Sequence, residues 1–211
     1  MFVNQLDEVI AKYPRLNKHI SDNEIMLKGF IDIIDESGKL WDTYEILIRP
    51  SPDFPNKFPI LFEIGEKIPK NGDWHIYTDG SCCLTVPPNE VIACKNGISV
   101  LTFVEDWVLP YLANQTYRAL TGNFVNEYSH GTLGLVEYYQ NLLNTKDKNQ
   151  IIRLLTFILD NKKPHRTNKC FCGSNQKFRH CHKKAYETIH LIGEELVKSN
   201  LRAMFQYFTL F

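Results

Sequence analysis

Nothing in this sequence is long and apolar enough to span a bilayer, and no basic segment followed by an apolar run opens it, so the expectation is a cytoplasmic chain without a membrane partner. Net charge is missing too. The 24 Lys and Arg balance the 24 Asp and Glu, which leaves no whole-molecule field to draw nucleic acid, so nucleic acid is not an expected partner and any charge argument is local. No internal repeat is evident, and no G-x-x-x-x-G-K-S/T loop is present, so this chain has no such device for holding ATP phosphates. What is present is ordinary globular composition: 211 residues, 44% hydrophobic and 23% charged, enough for one sizeable domain with a small appendage.

Apolar residues at Leu6, Val9, Ile10 and Tyr13 have helical spacing, and Pro14 closes that pattern, so a helix runs from about Asn4 to Leu16. "EIMLKGFIDII" and "LWDTYEILIRP" alternate around the turn "ESGK" as an antiparallel hairpin. The proline-dense "SPDFPNKFP" is a stiff crossover into a third strand, "ILFEI". Residues 68–96 show no strong period and read as an irregular, function-bearing segment. The rest is helical: "SVLTFVEDWVLPYLANQTYRAL", broken or kinked at Pro110, then "GTLGLVEYYQNLL", "NQIIRLLTFILDN" and one last stretch from "KKAYETIHLIGEEL" to an apolar end. That end carries Met204, Phe205, Tyr207, Phe208, Leu210 and Phe211, which must be covered by the chain itself or by a partner.

Six cysteines fall in two groups: Cys82, Cys83 and Cys94, and then Cys170, Cys172 and Cys181. In a reducing compartment this suits a reactive thiol plus a metal site better than a disulfide scaffold. In "DWHIYTDGSCCLTVPP" the Asp79-Gly80 turn and the Pro87-Pro88 pair place Cys82 and Cys83 in an accessible segment. A nucleophilic thiol needs exposure, a base or lowered pKa, and a donor for the oxyanion of a tetrahedral intermediate. Two buried packing thiols, or a vicinal disulfide, are the competing readings.

The order helix, meander, proline-rich crossover, irregular segment, "DGSCCL" and helices resembles the ubiquitin-conjugating (E2) fold, an α+β architecture, over roughly residues 1–120. In that family a Y-P-x-x-P-P crossover precedes a strand, and H-P-N stands eight residues ahead of the cysteine of G-x-x-C-L, counted from the asparagine. Here Phe54-Pro55-Asn56-Lys57-Phe58-Pro59 fills the crossover, and Gly80-Ser81-Cys82-Cys83-Leu84 places Cys83 at the nucleophile position. Asp73-Trp74-His75 replaces H-P-N, so an imidazole stands where an amide would stabilise the oxyanion. Cys82 fills a position usually apolar, as a small hydrophobe. Asp73 could orient His75, Asp79 is a turn former, and His130 lies before a helix in a capping or loop role.

Together with "PYLANQ" and "YSHG", these residues look more like the bacterial E2-like proteins of antiphage (CBASS-type) operons than like eukaryotic enzymes. That resemblance implies a cysteine thioester with a partner's C-terminal carboxylate, passed on to an amine. The implied partner is a ubiquitin-like protein or a cGAS-like nucleotidyltransferase that makes a nucleotide messenger, with an E1-like enzyme or another route for activation.

"CFCGSNQKFRHCH" supplies Cys170, Cys172, Cys181 and His182, a closed Cys3His set of the kind structural Zn2+ prefers. The same stretch resembles the SEC-C motif, a short zinc module similar to the C-terminal tail of the SecA translocase, which implies zinc binding and docking. Lys162 to Lys184 holds basic residues and no Asp or Glu, which reads either as a solvated face offsetting the thiolates or as a dock for an acidic partner or nucleic acid. The expected organisation is an E2-like domain over 1–122, a helical extension over 123–161, and the zinc module with a terminal helix over 162–211. The expected function is E2-like acyl transfer; the alternatives are a non-catalytic E2-like adaptor with a zinc dock and a zinc-dependent nucleic-acid binder.

Overall fold

A computed structural model of the chain describes residues 1–125 and 127–210, the last without its side chain. It divides into two compact units, 1–127 and 128–211. The fold is α+β.

In the first unit α1 (Leu6–Lys12) buries Leu6 and Val9 and stops at Tyr13, one residue before Pro14. Leu16, expected in the helix, instead opens β1 (Leu16–Ser21). β2 (Glu24–Ile34), β3 (Leu40–Arg49) and β4 (Ile60–Glu63) follow, and the described residues form one antiparallel sheet in the order β1-β2-β3-β4. The meander therefore has four strands rather than three. β1 turns into β2 at Asp22 and Asn23, which both take positive φ, 50° and 62°, the two-residue turn that matches strand twist. The sequence hid β1, because only Leu16 of "LNKHIS" is fully buried and the strand shows no alternation. Gly29 takes φ 148°, and a side chain there would meet Arg15 O at 2.1 Å, so glycine lets β1 approach β2.

Leu27, Ile31, Ile46, Ile48 and Leu61 point from the sheet into a core shared with Phe103, Val104, Val108 and Leu112. The proline-rich crossover is pinned on that core: the Phe58 ring lies 5.3 Å from Phe103 and 4.9 Å from Trp107, and Phe58 N donates to Glu90 Oε1 at 2.9 Å. The expectation that 68–96 is irregular throughout is corrected by α2 (Pro87–Lys95). Pro87 and Pro88 occupy its first two positions, where a missing N–H costs no helical hydrogen bond, so the prolines begin a helix rather than prevent one.

α3 (Val100–Phe103) opens on a reciprocal Ser99–Thr102 cap and runs through a π turn, Val104–Val108, into α4 (Leu109–Thr121). Pro110 does not end the helix; the α-helical pattern is interrupted just before it by the wider turn, with Leu109 N bonded back to Val104 O, which takes up the proline.

In the second unit α5 (Thr132–Leu143) and α6 (Lys148–Asp160) lie where the periodicity places them. The last helical stretch is two helices, α7 (Lys183–Ile192) and α8 (Glu194–Leu210), separated by Gly193 at φ 102°. Tyr139, Leu143, Leu155, Ile158, Ile189 and Val197 are buried, and Asn200 Nδ2 donates to the buried Tyr139 hydroxyl at 3.1 Å. In the apolar tail Met204 is buried and Phe205 stays 59% exposed; Phe211 lies outside the described residues. No helix among the described residues is long and apolar enough to cross a membrane.

Candidate functional site

The segment after β4 closes on itself as a small hairpin. Ile76 bridges Cys82, Cys83 N donates to His75 O at 2.7 Å, and Tyr77 N donates to Ser81 O at 2.8 Å. Asp79 makes the turn, its Oδ1 accepting from Ser81 N at 3.0 Å and from Ser81 Oγ at 2.6 Å, and Gly80 supplies φ 86°. Cys82 N donates to Leu61 O at 2.8 Å, which ties the hairpin to β4.

Alternation along this hairpin separates the two thiols. Cys82 joins Ile76 in the core, and burial pushes its thiol up to about 12, far from any reactive state. Cys83 faces the other way, half-buried and opposite His75, and a ring nitrogen of His75 lies within 4.8 Å of its sulfur. Burial also raises the Cys83 thiol above its ordinary range. A hydrogen bond with Tyr77 works against that rise, and the Glu127 and Glu90 carboxylates add to it. Both cysteines are free.

His75 is 7% exposed and takes the left-handed region at φ 53° as the cap of a short 3-10 turn, Gly72–Trp74. α4 holds that turn. Tyr111, Gln115 and Arg118 recur at helical spacing and grip successive carbonyls of the turn: Tyr111 Oη reaches His75 O at 3.3 Å, Gln115 Nε2 donates to Trp74 O at 3.0 Å, and Arg118 donates to Asp73 O. The Arg118 guanidinium is 4.2 Å from the Trp74 ring centre and 4.4 Å from that of Phe124, and the Phe124 ring stands edge-on to His75 at 5.2 Å.

On its other side His75 Nε2 is 3.5 Å from Glu127 Oε2, whose side chain is only 16% exposed. Burial pushes the Glu127 carboxyl up to about 7, against the pull of Arg118 and of a hydrogen bond from Asn114.

Cys83 and His75 are therefore brought together, and Cys82 is turned away. Asp73 is exposed and enters through its backbone carbonyl. His130 belongs to the second unit. Sequence reasoning passed over Glu127, Tyr77, Gln115 and Arg118. A signal existed for the α4 pair, since "YLANQTYR" puts Tyr111, Gln115 and Arg118 at i, i+4 and i+7 on one face of the helix. Glu127 had none, because its role depends on the chain turning back after Gly122.

In the second unit Cys170, Cys172, Cys181 and His182 converge, their ligand atoms all within 4.8 Å of one another. Cys172 and Cys181 sulfurs are 3.5 Å apart, and His182 Nδ1 is 3.4 Å from Cys170 Sγ and 3.0 Å from Cys181 Sγ. Four ligands about 2.0–2.3 Å from one tetrahedral ion stand roughly 3.3–3.8 Å apart; two of these separations fall in that range and the third is slightly tighter, so the cluster is compatible with a metal ion such as zinc. His182 Nε2 meets Leu143 O at 2.9 Å, which places a proton on Nε2 and turns Nδ1 toward the thiols. Arg153 supports the loop from α6, donating to Cys172 O at 3.3 Å.

Residues 166–184 match the SEC-C motif, which spans all four of these ligands. No curated protein and no solved structure matches the chain.

Proposed function

We propose that the first unit is an E2-like acyl carrier with Cys83 as its nucleophile, and that the second unit is a structural zinc module. The carrying observation is the hairpin that sets Cys83 opposite His75 while His75 Nε2 faces the largely buried Glu127. The order of elements, with a pinned proline-rich crossover ahead of the cysteine, supports the same reading.

Cys83 sulfur attacks the carbonyl carbon of a partner's C-terminal carboxylate, activated as an adenylate or thioester, and its proton passes to His75. The protonated His75 donates a hydrogen bond to the tetrahedral oxyanion, the activating group leaves with the electron pair of its bond, and a Cys83 thioester remains. An amine then attacks the same carbon, nitrogen loses a proton, and Cys83 leaves as the thiol. The partner is a ubiquitin-like protein or a nucleotidyltransferase, and activation comes from an E1-like enzyme or another route. Glu127 orients His75 and stabilises its protonated form. A thiol raised by burial needs such a base, and α4 fixes where that base stands.

The test is intact mass after gentle purification from cells co-expressing the neighbouring genes, wild type beside Cys83→Ala, with and without reductant. A reductant-labile adduct that disappears in Cys83→Ala is expected. Bare protein in every sample, with Cys83 inert toward iodoacetamide, would instead establish the adaptor. The desolvated state of the Cys83 thiol is the observation that favours this second reading.

A further inference from the structure

Between Lys162 and Lys184 there are eight Lys and Arg and no Asp or Glu, and the fold concentrates this charge. The chain doubles back as a short ribbon: Lys169 bridges Lys177, Cys170 N donates to Gln176 O at 2.8 Å, Phe178 N to Asn168 O at 2.8 Å, and Arg179 N to Arg166 O at 3.2 Å. Cys170 and Phe178 turn inward and are buried, so alternation sends Lys169 and Lys177 outward side by side.

Like charges placed directly across a ribbon destabilise it, and carboxylates do little to relieve them. Among the described residues the salt bridges that reach this segment are those of Lys163 and Lys183, both to Glu187, at 2.6 and 3.8 Å. Lys162, Arg166, Lys169, Lys177, Arg179 and Lys184 join none of the ion pairs there. Such an arrangement suits an anionic ligand.

What lies between the charges selects the anion. The other exposed side chains of the segment are those of His165, Thr167, Asn168, Ser174, Asn175, Gln176 and His180. Phe178 is fully buried, and the half-buried Phe171 is stacked on Phe157 at 4.4 Å. Protein–protein interfaces centre on desolvated apolar or aromatic anchors, and no such residue is exposed here. Surfaces that hold phosphate backbones are polar, strongly positive, and rich in amide and hydroxyl groups.

We infer that the ribbon Arg166–Arg179, with the flanking lysines, is a nucleic-acid-binding surface that grips the phosphate backbone without reading bases. It stands independently of the acyl-carrier reading, and the neutral charge of the whole chain conceals it.

The experiment is fluorescence anisotropy of the zinc-loaded full chain with single-stranded RNA of about 20 nucleotides and with a DNA duplex of about 20 base pairs, from roughly 50 to 200 mM salt. Binding to at least one is expected, with log K falling against log salt at a slope of about −3 to −4. The K169E/K177E variant, checked for unchanged zinc content, should bind about tenfold or more weakly, with a slope shallower by about 2. R166Q/R179Q should move the same way, and the two probes show whether RNA or duplex DNA is preferred. Three results would each overturn the inference: no salt-dependent binding to either probe, wild-type binding by the zinc-replete K169E/K177E variant, or displacement of nucleic acid by polyglutamate at equal charge concentration. The last would assign the ribbon to an acidic protein.

Discussion

The two units both hold neighbouring cysteines and use the backbone to opposite ends. In the first, a hairpin sends Cys82 into the core and Cys83 to a histidine, so two adjacent thiols face different surroundings. In the second, a ribbon and the start of α7 gather thiols that are up to eleven residues apart in sequence, 170 to 181, onto one point. Strand alternation does the separating, and a tight loop does the gathering. One unit thus sets a single sulfur of its hairpin against a histidine, while the other brings three cysteine sulfurs and an imidazole to one point that suits a metal ion.

That contrast is broken most strongly by removing the metal. Few apolar side chains hold residues 166–184, so metal binding should supply on the order of 10 kcal/mol to folding there. A strong chelator, or Cys170→Ser, should abolish the ordered loop, as read by proteolysis and amide exchange over 166–184. Alkylation of Cys83 should keep its rate. A loop that stays protected without metal would mean that the cluster is ordinary packing.

The next largest effect falls on His75. His75→Ala should lower Cys83 thioester formation by about 10²–10⁴-fold if the imidazole takes the thiol proton. His75→Asn would restore part of the rate only if oxyanion donation is the larger role. An unchanged rate in both variants would remove His75 from the chemistry.

The convergence of Cys170, Cys172, Cys181 and His182 was legible in the spacing, because a C-x-C followed by C-H fits one small ion. Cys83 was singled out by its place in the G-x-x-C-L pattern, and the turn "DGS" before it was legible as a turn. Features that depend on long-range return of the chain were not legible. β1 lacked alternation, α2 opened with prolines that read as a breaker, and Glu127 reaches His75 only because α4 ends at Gly122 and the chain folds back. Sequence period shows which face of an element is buried; it does not show what a loop brings to a site fifty residues away.

Glu127 sharpens the comparison, since its burial bears on stability and its place beside His75 bears on the proposed chemistry. Its folded value of about 7 lies above the ordinary 4.5, so the folded state holds a proton that the unfolded state gives up between those values. The stabilising contribution is therefore fully present below pH 4.5 and is lost as pH rises through 7. Glu127→Gln carries no such charge. It should gain roughly 1–2 kcal/mol at about pH 8 after allowance for solvent screening, and almost nothing at about pH 4. Thioester formation should fall about tenfold or more, because the imidazole loses the carboxylate that orients it. Higher thermal stability at pH 8 with an undiminished rate would make Glu127 a bystander.

The smallest expected effect tests the separation of the thiols themselves. Cys82→Ala removes one buried sulfur from the core beside Ile76 and Leu61 and should cost about 1 kcal/mol in denaturant unfolding. It should not touch the chemistry. A thiol held near 12 is neutral at any physiological pH, so iodoacetamide should label the hairpin once in the wild type and once in Cys82→Ala. The rise of that labelling with pH should reach its midpoint above the ordinary thiol range, since burial raises Cys83 as well. A hairpin that takes two labels, or a thioester lost in Cys82→Ala, would show the two sulfurs acting jointly, and the alternation that keeps them apart would then be the wrong account of why they stand side by side.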